Sequence, residues 1–122
     1  MNKVALGKQW EDQVACYLIE HGYAILERNY RFHNKEVDII ASKDGSVVFV
    51  EVKYRAKKTF GDGVESVTAR KKQNILSVAL HYMGKKRYYN HNARFDIASI
   101  ENKKLSYIKD AFHLESVPLW RN

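Results

Sequence analysis

An α/β domain built around one mixed sheet is expected for these 122 residues, from three observations. Two stretches, 3–21 and 64–83, carry apolar residues at helical spacing. Three strand-like runs lie between them and two more follow the second. An Asp44-Gly45 step separates two of those runs, and that dipeptide is a strong signal for a two-residue hairpin turn.

Residues 3–21 read as a helix that stops at Gly22, which suits the left-handed conformation at a helix end. "YAILERNYRF", 23–32, reads as a strand with a bend. "EVDIIAS" and "SVVFVEVKYR" read as the two arms of the hairpin. "AKKTFGDG", 56–63, is a basic loop containing glycine. Residues 64–83 read as the second helix, ended by Gly84. Asp62 and Glu65 have the spacing of a capping box, with Asp in place of Ser or Thr. "KKRYYNHN" is a polar loop, and "ARFDIASIE" and "KLSYIKDAF" read as the last strands. Residues 111–122 form a C-terminal tail. The order is helix, three strands, helix, strands, with the sheet between or beneath the helices. No repeat or linker divides the chain, so residues 1–122 are expected to be a single domain.

With 45% apolar residues and a single proline, the composition argues against a disordered or low-complexity chain. Lys and Arg number 21 against 14 Asp and Glu, a net charge of +7. That excess fits a polyanionic partner, nucleic acid first, although an incidentally basic surface explains charge alone equally well. Cys16 is the one cysteine, which rules out an internal disulfide and a Cys-based zinc site. It lies within the first helix, where ordinary packing is expected. No run is long and apolar enough for a signal peptide or a bilayer span, so a cytoplasmic protein without a membrane partner is expected.

The hairpin holds the informative charges. Side chains alternate along a strand, so Glu51 and Lys53 share a face with Val47 and Phe49. If Asp44 and Gly45 are the turn, Lys43 pairs with Ser46, Ala41 meets Val48, Asp38 meets Glu51 and Glu36 meets Lys53. Like charges directly opposite destabilise a sheet. At about 4 Å and an effective dielectric near 20, two unit charges repel by about 4 kcal/mol. Either one acid keeps its proton or a cation lies between them. Glu11 adds a third acid, because Gly7, Val14, Ala15 and Leu18 surround it on the helix and direct it inward. Three acids and Lys53 leave a charge that one divalent cation neutralises, and oxygen ligands select Mg²⁺ or Mn²⁺. A carboxylate-held Mg²⁺ beside a lysine suits phosphodiester hydrolysis. The bland alternative is a solvated acid-x-lysine face with an ordinary Glu36–Lys53 pair, and a three-residue turn would separate the two acids.

Asp38, then Glu51-Val52-Lys53 on the next strand, after a helix carrying Glu11, resembles the PD-(D/E)XK nuclease superfamily. More closely, the chain is similar to the YraN-like, or UPF0102, family. The matching pieces are Glu11 with Ala15, "HGYAILERNYR" at 21–31, "EVDII" at 36–40, "VFVEVKYR" at 48–55, "VTARK" at 67–71 and "RFDIASI" at 94–100. Trp10 stands where the family more often has Gly, and Val37 where the superfamily pattern has Pro. The resemblance implies a restriction-endonuclease-like core, Asp38 and Glu51 as metal ligands, Lys53 as the catalytic lysine and Glu11 as an accessory acid near the metal. That family in turn resembles archaeal Holliday junction resolvases, which implies branched DNA and a homodimer.

Arg55, Lys57 and Lys58 follow the acids, and Arg70, Lys71 and Lys72 open the second helix, as candidates for phosphate contact. Lys71 shares a face with Val67, Ile75, Val78 and Tyr82, so its stem is expected inward and its ammonium near the carboxylates. Lys85, Lys86 and Arg87 beside Tyr88 and Tyr89 form a second basic patch, suited to base stacking or to plain packing. Arg31, Arg94 and Asp96 either brace the site or bind phosphate. Three functions follow: a Mg²⁺-dependent DNA endonuclease, a nucleic-acid-binding module that keeps the fold without cutting, and a partner-binding protein using the tail "VPLW".

Overall fold

The computed structural model describes residues 3–55, 68–88 and 90–112. Within these residues, helix α1 (Lys3–Glu20) precedes strands β1 (Ala24–Phe32), β2 (Lys35–Lys43) and β3 (Ser46–Arg55). Helix α2 (Ala69–Lys85) follows, then β4 (Asn92–Glu101) and β5 (Lys104–Phe112). The strands form one sheet in the order β1-β2-β3-β4-β5. β3 and β4 run parallel and the other neighbours antiparallel, so the sheet is mixed as expected.

The sheet has a core on each face. Val14, Ala15 and Leu18 of α1 pack with Ile39, Ala41, Val48 and Val50. Ile75, Leu76, Val78, Ala79 and Tyr82 of α2 pack with Ile40, Val47, Phe49 and Phe95. A sheet covered by a helix on each face is a restriction-endonuclease-like arrangement. Its central strand, β3, alternates between the two cores and therefore carries almost no water-facing residues until its last turn of sequence.

Ends of elements follow local chemistry. Gly22 stops α1 at φ 86, with Tyr23 N–H returning to Leu18 C=O at 2.9 Å. Asp44 and Gly45 both have positive φ, 51 and 80, as the tight hairpin turn requires. The expected start of α2 at residue 64 is corrected to Ala69. Thr68 keeps an extended backbone and its hydroxyl accepts from Lys71 N–H at 3.1 Å, which is an N-cap. Asp62 and Glu65, read as a capping box, lie outside the described residues. Gly84 does not end the helix, because Arg87 takes the left-handed position at φ 58. Its N–H bonds Gly84 C=O, and Tyr88 N–H bonds Met83 C=O, closing the helix end. A side chain in that conformation costs about 1 kcal/mol. Arg87→Gly is therefore expected to raise the urea midpoint, by about 1 kcal/mol of stability.

Two further expectations are corrected. β5 spans Lys104–Phe112, the whole of "KLSYIKDAF" as read, and Phe112 is buried and stacks on Phe95 at 5.0 Å, so Ala111 and Phe112 belong to the sheet and not to a tail starting at 111. Cys16 is exposed, because Val14, Ala15 and Leu18 form the buried stripe and Cys16 points away from it.

Candidate functional site

The hairpin has the two-residue register: Lys43 opposes Ser46, Ala41 opposes Val48 and Ile39 opposes Val50. One step further along, Asp38 and Glu51 face each other, and there the ladder gives way. Val52 N–H donates to the Asp38 carboxylate, Oδ2, at 2.8 Å. On the other edge, Asp38 falls between the pairs Arg28↔Ile39 and Tyr30↔Val37. Its counterpart there is Asn29, left-handed at φ 51, which bends β1. The sheet ladder thus opens on both sides of Asp38.

Glu51 extends the stripe of Val47 and Phe49 under α2 and is only 5% exposed. Its neighbour on β4 is Ile97, which is fully buried, so water is displaced from one flank of the carboxylate. Asp38 and Glu51 lie within hydrogen-bonding reach of each other. Burial first, and then the Glu51 carboxylate, push the Asp38 carboxyl far above the carboxylate range, to about 9. The Val52 N–H works in the opposite direction and does not offset them. The Asp38 carboxyl is therefore biased toward its protonated form at neutral pH.

Lys71 approaches from the first turn of α2. Its Nζ is 3.0 Å from Glu51 Oε2, an ion pair to a buried oxygen that keeps lone-pair capacity for a further partner. Burial pulls the Lys71 ammonium down, but the Glu51 carboxylate outweighs this and raises it. Lys53 is half-buried, two residues past Glu51 on the same strand face, and opposes Ser99 of β4. The Ser99 hydroxyl is buried with no hydrogen-bond partner among the described residues. Asp38, Glu51 and Lys71 thus meet at one end of β2 and β3, under the start of α2, with Lys53 two residues past Glu51 on β3.

Glu11 does not join them as a third ligand. Its carboxylate accepts from Asn29 Nδ2 at 2.9 Å and lies 3.9 Å from Arg28. Trp10 is the cause: it takes the buried position on α1 and stacks on Tyr54 at 5.2 Å, leaving Glu11 at the flank toward β1. Glu11 still acts on Asp38 through its charge, as the weakest contributor. Among the described residues no three His, Cys, Asp or Glu side chains are placed to hold one ion. The pair Asp38 and Glu51 nevertheless fits Mg²⁺, which is commonly held by one or two carboxylates with waters and substrate phosphate. The unbonded buried oxygen of Glu51 is a ready ligand.

The remaining candidates separate. Arg55 pairs with Glu101 at 3.6 Å across β3 and β4, and Lys72 lies over the Phe112 ring at 5.5 Å. Lys57 and Lys58 lie outside the described residues. Glu36 pairs with Arg31 at 3.0 Å, not with Lys53, since β1 is its ladder partner there. Arg94 and Asp96 do not reach the site. Asp96 alternates onto the α1 face, bonded by Arg94 and Tyr107, with Tyr23 beyond. Lys85, Lys86 and Arg87 are exposed, whereas Tyr88 packs against the core, and Tyr89 lies outside the described residues. Asn29 was not anticipated, although an Asn in a bent strand is a signal for a left-handed residue. Ser99 had no such signal.

A family model described as "Uncharacterised protein family UPF0102" matches residues 10–100. A UPF0102 protein of Sulfurihydrogenibium sp. is 38% identical over 115 residues, 94% of this chain and the whole of that protein. One from Fusobacterium nucleatum is 41% identical over 90% of this chain and 92% of its own length. One from Syntrophus aciditrophicus is 42% identical, covering 88% of each. No helix among the described residues is long and apolar enough to cross a membrane.

Proposed function

The chain belongs to the UPF0102 family, and from its site we propose that it is a Mg²⁺- or Mn²⁺-dependent DNA endonuclease. The observation that carries this reading is the pair of opposed acids, Asp38 and Glu51, held together inside the sheet where nothing in packing requires either. Asp38 and Glu51 would hold the ion, which supplies a Lewis acid and a more acidic bound water. Their fixed backbone keeps both carboxylates in place without reorganisation. Lys53, on the same strand face, orients the attacking water and donates to the phosphate oxygen on which charge builds. The ladder gap at Asp38 lets the Val52 N–H turn to its carboxylate and hold one oxygen in place. The net charge of +7 favours a polyanion. Branched DNA and a homodimer enter through the resemblance to the resolvases.

Cleavage of linear, flapped and four-way DNA in Mg²⁺ tests this, with wild type against Lys53→Met. The expected result is metal-dependent cutting by the wild type, reduced about 100-fold or more in the variant. Metal binding should persist in Lys53→Met. Equal cutting by the two proteins would remove Lys53 from the chemistry.

A second reading is a nucleic-acid-binding module that does not cut. It is favoured by Glu11, whose carboxylate engages Asn29 rather than the acid pair. Salt-dependent DNA binding with no metal affinity would establish that alternative.

A further inference from the structure

We infer that Lys71 is a built-in competitor of the metal, displaced from Glu51 when the ion binds and thereby released to receive a substrate phosphate. The inference rests on the metal-site reading above and adds a positioning residue from α2 that couples metal binding to phosphate binding.

The geometry has two parts. Lys71 Nζ sits 3.0 Å from Glu51 Oε2, the oxygen available to an ion. The two partners differ in freedom. The Glu51 side chain is 5% exposed and fixed in the central strand, whereas that of Lys71 is 40% exposed and stands on the first turn of a helix. A flexible four-carbon stem with its flank in water can withdraw the ammonium at small cost, and the carboxylate cannot follow.

Charge then sets the sequence of events. Without metal, the Lys71 ammonium offsets the negative charge of the acid pair. A divalent ion at Asp38 and Glu51 neutralises both, and repels the neighbouring ammonium. Lys71 swings to the mouth of the site, where an incoming phosphate supplies the negative charge it has lost. By linkage, phosphate binding must tighten metal binding in return. The divalent ion feels removal of this ammonium twice as strongly as the single proton that competes for the same oxygens. Removing Lys71 therefore tightens the metal even where protons compete.

Two measurements on the full chain test this. Calorimetric titration of Mg²⁺ alone, without DNA, compares wild type, Lys71→Met and Lys71→Arg. Lys71→Met is expected to bind Mg²⁺ about tenfold more tightly than wild type, and Lys71→Arg within about twofold of it. Independently of Lys71→Met, reductive ¹³C-methylation of the wild type gives a methyl signal for Lys71, assigned from its loss in Lys71→Arg. That signal is expected to move when Mg²⁺ is added. Wild-type Mg²⁺ binding with no tightening in a folded Lys71→Met overturns the inference and leaves the metal site standing. An unmoved Lys71 signal at saturating Mg²⁺ does the same. Absence of Mg²⁺ binding in both proteins overturns the inference and the metal-site reading together.

Discussion

Asp38→Asn is expected to leave the protein without nuclease activity and, in the absence of metal, more stable than the wild type. Both effects come from one feature. In the wild type Asp38 is partly buried against Glu51, and the pair must either repel or bind a proton. An Asn of the same shape still accepts from Val52 N–H through its amide oxygen, and its amide N–H₂ can donate to Glu51. The repulsion goes and the hydrogen bond stays. A gain of about 1–2 kcal/mol at pH 8 is expected, about 3–6 °C in Tm. The sign with pH follows from the raised carboxyl. Its folded value lies near 9 and its ordinary value is 3.8. The folded state therefore holds more protons than the unfolded one between these values, and wild-type stability falls as pH rises through that window. Asp38→Asn should flatten the slope. Thermal melts in chelator from pH 5 to pH 9 check both claims. A variant less stable than wild type at pH 8 would mean that Asp38 serves the fold rather than a ligand. Residues that cost stability and are kept for chemistry leave this signature.

Asp96→Ala is the opposite case and the largest loss of stability expected for a single change. The Asp96 side chain is fully buried. It accepts from Arg94 at 3.0 and 2.8 Å, from the Tyr107 hydroxyl at 2.5 Å and from Asp110 N–H at 2.8 Å. Arg94 also donates to the Tyr23 hydroxyl at 2.5 Å, tying β4 to the chain just after α1. The Asp96 hydrogen bonds drive the Arg94 guanidinium further up, while burial and then Asp96 raise the Tyr107 hydroxyl. Removing the acid strands a guanidinium, a hydroxyl and an amide together, at a cost of about 3–5 kcal/mol. That is a large part of the stability of a domain this size. Tyr107→Phe removes one neutral donor and should cost about 1 kcal/mol. Urea denaturation gives both values. Metal affinity of the folded fraction should not change, because this network lies on the α1 face and the acid pair under α2. A loss below 1 kcal/mol for Asp96→Ala would show that water replaces the carboxylate.

These two acids mark what could be read from the residues alone. Asp38 and Glu51 were legible because a two-residue turn fixes register, and register fixes which side chains meet. Lys71 was legible because its helical spacing placed it on the stripe of Ile75 and Val78. Asp96 was not separable from a phosphate-binding role: strand alternation gives a face but not what covers it, and Tyr23 and Tyr107 come from distant sequence. Glu11 was misplaced because helical spacing assigns a face about 100° wide. Which residue fills the middle of that face depends on the partner surface. Here the Tyr54 ring selects Trp10, and the bend at Asn29 supplies Glu11 with a donor. The start of α2 was missed because Thr68 satisfies the first-turn N–H groups, while Asp62 and Glu65 offered the same chemistry earlier in the chain.

The central claim is that Asp38 and Glu51 form a divalent-cation site. Titration calorimetry of Mg²⁺, and then Mn²⁺, into the wild type, Asp38→Asn and Glu51→Gln tests it most directly. One ion per chain is expected for the wild type, with binding lost in both variants although both remain folded. Binding in either variant equal to that of the wild type would contradict the claim, as would absence of binding in the wild type with duplex DNA present.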